Sequence, residues 1–154
     1  MKWPLVSIII PTMNNANYVG NCLRSILMFT PPIYEIILVN NGDKDSLYFV
    51  KEDDRIKILR PDHNLGWMDA HNLANKTARG EYILLMNDDT QILDGDTEWL
   101  SRLLQPFRDE KTGAVGPVSN VVMGTQNMFA LRKYPKEYAR TMLIGFCILT
   151  SKKV

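Results

Sequence analysis

The stretch whose reading decides the fold is "EYILLMNDDTQILD", Glu81 to Asp94. Tyr82 to Met86 run apolar or aromatic without alternation, the pattern of a strand covered on both faces. The chain then delivers Asn87-Asp88-Asp89. Adjacent carboxylates repel, so water, a basic neighbour or a metal ion has to compensate them. A strand covered on both faces belongs in a parallel sheet flanked by helices, and the rest of the chain repeats that theme.

"LVSIII" (Leu5–Ile10) is a β-branched run closed by Pro11, and "YEIILVN" (Tyr34–Asn40) is a second buried strand. Between them Val19, Cys22, Leu23, Ile26 and Leu27 fall at helical spacing from Asn17 to Phe29, with Pro31-Pro32 as a stop. A short polar helix is expected from Lys44 to Lys51. "RIKIL" (Arg55–Leu59) then alternates like a strand with one wetter face. Trp67, Ala70, Ala74 and Ala78 mark a helix ending at Gly80. Trp99, Leu100, Leu103, Leu104 and Phe107 mark another, and "GAVGPV" (Gly113–Val118) reads as a short strand. Further strands are expected near Met128–Leu131 and at Met142–Thr150. Asn41-Gly42 between apolar runs usually signals a hairpin, but the helical character that follows makes it a strand-to-helix loop. Strands alternating with helices give an α/β fold: a mostly parallel sheet with helices on both faces.

A chain of 154 residues, 45% hydrophobic and 23% charged, suits one domain spanning 1–154. Net charge is +1, so no nucleic-acid partner is expected. Charge is uneven: residues 1–111 carry a net −4 and residues 112–154 a net +5. Cys22 and Cys147 are far apart, without CxxC spacing, and read as reduced core residues rather than a zinc site. Pro4 and Pro11 interrupt the opening apolar run and no small-residue cleavage site follows, which argues against a signal peptide. The longest apolar run, Met142 to Leu149, is far shorter than the ~18 residues of a membrane span. A cytoplasmic location is expected, with peripheral attachment to a membrane left open by the basic C-terminal stretch.

Ligands of open parallel sheets bind at the carboxyl ends of the strands. The residues just past the strands are Pro11-Thr12-Met13-Asn14, Asn40-Asn41-Gly42-Asp43, Arg60-Pro61-Asp62-His63-Asn64 and Asn87-Asp88-Asp89-Thr90. Turn chemistry alone favours Asn, Asp, Gly and Pro in loops; four such loops on one edge, one with paired carboxylates, point further. Such a pair suits a hard divalent cation, which keeps waters and takes one or two carboxylates plus phosphate oxygens. There is neither GxxxxGK[ST] nor GxGxxG, which argues against a P-loop kinase or a classical dehydrogenase.

In this order the loops resemble the family 2 glycosyltransferases of the GT-A fold. The resemblance rests on "VSIIIPTMNNANYVGNCLRSIL", "YEIILVNNGDKD", "NLGWMDAHNLANKTARGEYILLMNDDT", "GAVGPVSN" and "MLIGFCILTSKKV", and it covers essentially the whole chain. It implies a Rossmann-like three-layer sandwich. It also implies transfer of a sugar from a UDP-, dTDP- or GDP-linked donor to a glycan or lipid-linked acceptor, with inversion and with Mg²⁺ or Mn²⁺. Pro11, Thr12 and Asn14 would line the nucleotide pocket and Asn41 would face the base. Asn64 and Asn72 would lie beside the diphosphate or ribose. Asn87-Asp88-Asp89 would stand for the DXD motif, with Asp89 on the metal and Asp88 near the ribose or sugar.

The family's general base comes from a later Gly-aromatic-Asp-Glu run, and Ser151-Lys152-Lys153-Val154 stand about where it should begin. Glu137 is the sole carboxylate after Glu110, and its basic surroundings make it a poor base. The expectation is a donor-binding half whose base lies beyond Val154. His63 and His71 read as partly exposed structural histidines, Trp67 as packing for its helix, and Arg132, Lys133, Lys136 and Arg140 as a solvated basic face. Two other classes compete. A nucleotidyltransferase would want a Gly-rich basic loop after the first strand, and "PTMNNANYVG" has no Lys or Arg. A non-catalytic nucleotide-sugar-binding module would need no base.

Overall fold

Val6 to Thr12 form β1 and Tyr34 to Asn40 form β2, parallel neighbours in register from Val6 opposite Tyr34 to Thr12 opposite Asn40. The computed structural model describes residues 5–118, 143 and 145–153. Within them α1 spans Ala16–Phe29, β3 Ile56–Leu59, α2 Gly66–Asn75, β4 Tyr82–Met86, α3 Trp99–Leu104, β5 Ala114–Val115 and β6 Cys147–Ser151. The sheet runs β3-β2-β1-β4-β6-β5. The first four strands are mutually parallel; β6 runs antiparallel to both β4 and β5. The strand expected at Met142–Thr150 is β6, which begins only at Cys147 after a turn at Gly145 and Phe146. The strand expected near Met128–Leu131, the basic residues Arg132, Lys133, Lys136 and Arg140, and Glu137 lie outside the described residues.

Side chains alternate across each strand, so β1 feeds two cores. Ile8 and Ile10 join Val19, Cys22 and Ile26 of α1 and Leu100 and Leu103 of α3 on one face. Ile9, with Ile37 and Val39 of β2, meets Ala70 and Ala74 of α2 and Ala78 just beyond it on the other. Each fully buried Ile or Leu contributes about 1.5–3 kcal/mol, and the alanines let α2 lie close to the sheet. This is the three-layer α/β arrangement that the sequence led us to expect.

The strand expected at Gly113–Val118 shortens to Ala114–Val115, and three segments expected as helix also differ. The segment after Asn41 is a series of turns closed by i→i−3 bonds, such as Ser46 N to Asp43 O and Tyr48 N to Asp45 O. Helix nucleation is costly for so short a segment, and the Asn40 side chain diverts its polar groups. Helix α2 stops at Asn75 rather than Gly80. The Arg79 N–H donates to Glu35 Oε1 at 2.7 Å and the Gly80 N–H to Ser7 Oγ at 2.8 Å, so the strands capture the amides a longer helix would use. Helix α3 tightens into a 3-10 turn at Gln105–Arg108, where Pro106 lacks an N–H.

Candidate functional site

Three loops meet at the carboxyl ends of β1, β2 and β4, and short polar contacts bind them together. Asn14 adopts φ +58°, a left-handed conformation that Asn tolerates better than most residues. Its Oδ1 accepts from the Asp43 N–H at 2.8 Å, joining the β1 loop to the β2 loop. The approach requires glycine at 42, because a Cβ there would lie 2.2 Å from Asn14 Oδ1 and 2.7 Å from its backbone nitrogen. The buried Asn40 stiffens the same loop: its Oδ1 accepts from the Gly42 N–H and the Ser46 hydroxyl, and its Nδ2 donates to the Asp43 carbonyl.

The two adjacent carboxylates of the opening stretch have different surroundings. Asp88 is half-buried, and its Oδ2 accepts from the Thr12 hydroxyl at 2.7 Å and from Asn15 Nδ2 at 3.3 Å. It thereby ties β4 to β1 and to the start of α1. Asp89 is exposed and has no hydrogen bond or ion pair among the described residues. Beneath them the Cys22 thiol is pushed up to about 12, by burial first and then by the charge of Asp88, with smaller contributions from Cys147 and Asp89. Burial likewise holds Cys147 at about 12. Both cysteines are free, buried and protonated, hence inert.

The asparagines divide as well. Asn41 Nδ2 donates to the Gly66 carbonyl at 3.0 Å and its Oδ1 accepts from the Leu65 N–H at 3.2 Å, so its amide locks the β2 loop to the start of α2. Asn64 closes a tight turn by accepting from the Gly66 N–H at 2.7 Å, and its Nδ2 points to Met13 Sδ. Pro11 is half-buried within β1, and Thr12 is buried under Asp88. Asn72 is exposed on α2, six residues and about 9 Å of helix rise beyond Gly66. It makes no hydrogen bond to the other candidates among the described residues, so the structure does not gather it with them. His63 is exposed.

Two residues outside the expected set belong to this edge. Asn15 reaches Asp88, and Trp67 donates its indole N–H to Asn87 Oδ1 at 3.1 Å. Asn15 had no sequence signal, and Trp67 was expected only to pack its helix, whereas it is 40% exposed and reaches the loop after β4. Each contact spans more than a dozen residues of chain. His71 is buried on α2; its Nδ1 lies 2.7 Å from the Trp67 carbonyl, and burial lowers its pKa despite that contact. The Ile9 backbone also favours its protonated form, but no hydrogen bond of good geometry reaches Nε2.

Among the described residues no cluster of three or more His, Cys, Asp or Glu is positioned to hold a metal. The chemistry of the edge nevertheless fits Mg²⁺ or Mn²⁺. Asp89 offers an unengaged carboxylate beside a second one, and such cations complete their shells with water and phosphate oxygens. The set does not fit a four-ligand zinc site. No helix among the described residues is long and apolar enough to cross a membrane.

The chain is 30% identical over 106 residues to glycosyltransferase GlyG of Streptococcus pneumoniae, covering 66% of this chain and 35% of GlyG. Its fold matches that of the mannosyltransferase PcManGT from Pyrobaculum calidifontis, solved with GDP-Man and Mn²⁺. That match has TM-score 0.77 and 17% identity over 99% of this chain and 46% of PcManGT. The S. aureus TarS 1–349 structure with UDP-GlcNAc matches with TM-score 0.70 and 21% identity, over 93% of this chain and 44% of TarS 1–349. The chain thus spans about a third of GlyG and under half of each structural neighbour. The sequence profile of Glycosyl transferase family 2 matches residues 7–151. With its six-stranded, mostly parallel GT-A sheet, the chain belongs to the family 2 glycosyltransferases.

Proposed function

We propose that this chain is the donor-holding part of a glycosyltransferase that moves a sugar from a nucleoside-diphosphate sugar to an acceptor hydroxyl. The observation that carries the reading is Asp89: an exposed, unengaged carboxylate on the carboxyl end of a central strand, beside a neighbour already anchored. Family membership, together with neighbours solved with GDP-Man and UDP-GlcNAc, supports it.

Each residue then has a task. Asp89 would ligate Mg²⁺ or Mn²⁺. Asp88, held by Thr12 and Asn15, would keep the turn after β4 rigid and present its remaining oxygen to a ribose or sugar hydroxyl. Asn14 and Gly42 hold the two nucleotide loops at a fixed separation, with Pro11 setting the floor between them. Asn41 and Asn64 shape the wall beside α2, and Asn72 would touch a ligand only at its outer margin. When bound, the cation would neutralise charge developing on the diphosphate leaving group. The acceptor would be a glycan or lipid-linked sugar, the transfer inverting and the setting cytoplasmic, with peripheral contact to a membrane.

Calorimetry with UDP, dTDP and GDP, with and without Mn²⁺, tests this on wild type and Asp89→Ala. We expect one nucleotide to bind in a Mn²⁺-dependent way, weakened at least about tenfold in Asp89→Ala. Absence of binding, or indifference to both metal and Asp89, would sink the reading. A nucleotide-sugar-binding role without transfer is the second reading, since every residue given a task above serves to hold the donor. Nucleotide binding with neither sugar transfer nor donor hydrolysis would select it.

A further inference from the structure

Trp67 is the second residue of α2, 40% exposed yet anchored at several points. The His71 ring, one helical turn on, lies against the indole with centroids 4.1 Å apart and planes tilted by 50°. His71 Nδ1 meets the Trp67 carbonyl at 2.7 Å, and a Cβ on Gly145 would lie 3.7 Å from Trp67 Cζ2. The indole N–H donates to Asn87 Oδ1 at 3.1 Å, while the Asn87 backbone N–H donates to the Phe146 carbonyl at 2.9 Å.

An indole N–H can only donate, so it selects the oxygen end of the Asn87 amide. The other end, Nδ2, is forced away from Trp67. It has no partner among the described residues and, on a half-buried residue, is not sealed from solvent. Position 87 therefore shows a hydrogen-bond donor on the same turn as the unengaged carboxylate of Asp89. A carboxylate at 87 could only accept, so this asparagine acts differently from an acidic residue: it attracts an anionic oxygen instead of a cation.

We propose that Trp67 is a positioning residue that fixes the Asn87 amide so that Nδ2 donates to a diphosphate oxygen of the bound nucleotide, leaving cation ligation to Asp89. The inference rests on the nucleotide-sugar reading above and names what selects the charged end of that ligand. Trp67→Phe keeps the ring against His71 and removes only the donor. Without it the amide is free to turn over and present its oxygen to the diphosphate.

The test is a double-mutant cycle on the full chain, read by calorimetry with Mn²⁺ and whichever of UDP, dTDP and GDP wild type binds. Hydrogen bonds to charged groups are strong enough that Asn87→Ala should weaken binding about tenfold. Trp67→Phe should weaken it about three- to tenfold. In the double variant the loss should equal that of Asn87→Ala alone, because the indole acts only through the amide. Without ligand, the Trp67 indole N–H resonance should move upfield in Asn87→Ala. Unchanged binding in Trp67→Phe, equal losses from Trp67→Phe in both backgrounds, or an unmoved resonance would each overturn the proposal. A wild type that binds none of the three nucleotides would overturn the nucleotide-sugar reading and this inference with it. An additive cycle in a binding-competent protein would overturn this inference alone.

Discussion

Glu35 and Asp89 sit at opposite edges of one sheet and meet opposite conditions. At the amino edge Glu35 is 5% exposed and fully engaged. Its Oε1 accepts from the Ser7 hydroxyl at 2.6 Å and the Arg79 N–H at 2.7 Å, and its Oε2 pairs with the Arg79 guanidinium at 2.7 Å. Gly80 completes the knot by donating to Ser7, at a spot where a Cβ would meet the Ser7 nitrogen at 2.5 Å. At the carboxyl edge Asp89 has no such partner among the described residues, and Asn87 keeps a free donor. A carboxylate enclosed by donors locks a fold; one facing water with its acceptors unengaged is available to a ligand.

Replacing Glu35 should show the largest effect. Glu35→Ala leaves Ser7 and the Arg79 amide without acceptors and should cost about 3–5 kcal/mol of stability in urea unfolding. A loss under 1 kcal/mol would break the contrast between the edges. Gly42→Ala comes next, because the new Cβ collides with Asn14. About 1–3 kcal/mol of stability should go, along with nucleotide affinity, since the collision parts the two loops.

The pH response sharpens the same comparison. Burial pushes the Glu35 carboxyl up, but the hydrogen bonds from Ser7 and Arg79 and the guanidinium charge outweigh it and leave the pKa below the ordinary value of 4.5. The unfolded chain therefore takes up this proton first. Stability from Glu35 is complete above pH 4.5 and is lost as pH falls through the lower folded value. Urea midpoints in that acid window should fall more steeply for wild type than for Glu35→Gln. His71 adds a smaller slope higher up. Burial lowers its pKa below 6.5, so stability should decline as pH drops below 6.5, and His71→Phe should flatten that part of the profile. The smallest effect belongs to Asp89→Asn, which should leave stability within about 0.5 kcal/mol. A larger loss would mean that Asp89 is a fold residue after all.

Much of this was legible before any coordinates. Buried parallel strands are continuous β-branched runs, so "SIIIP", "EIILV" and "YILLM" announce the sheet, and the polar breaks after them announce the candidate edge. What one strand end says about another is not written locally. The end of α2 depends on Glu35 and Ser7, 44 and 73 residues from the amides they capture. The amides of Asn41 and Asn64, which the resemblance assigns to the nucleotide, are engaged in shaping the wall. Asn15 and Trp67 join the site through contacts across 73 and 20 residues of chain.

By itself the sequence determined that this is an α/β protein with a parallel sheet, two helical layers and an acidic pair on one strand end. Hydrophobic periodicity and chain order are local properties, and they suffice for that. Only the tertiary structure decided which polar groups stay available. Asp88 and Asp89 are adjacent in the chain, yet Thr12 and Asn15 fold onto the first and leave the second open. Hydrogen-bond capacity is finite, and the packing of distant loops sets what remains for a ligand.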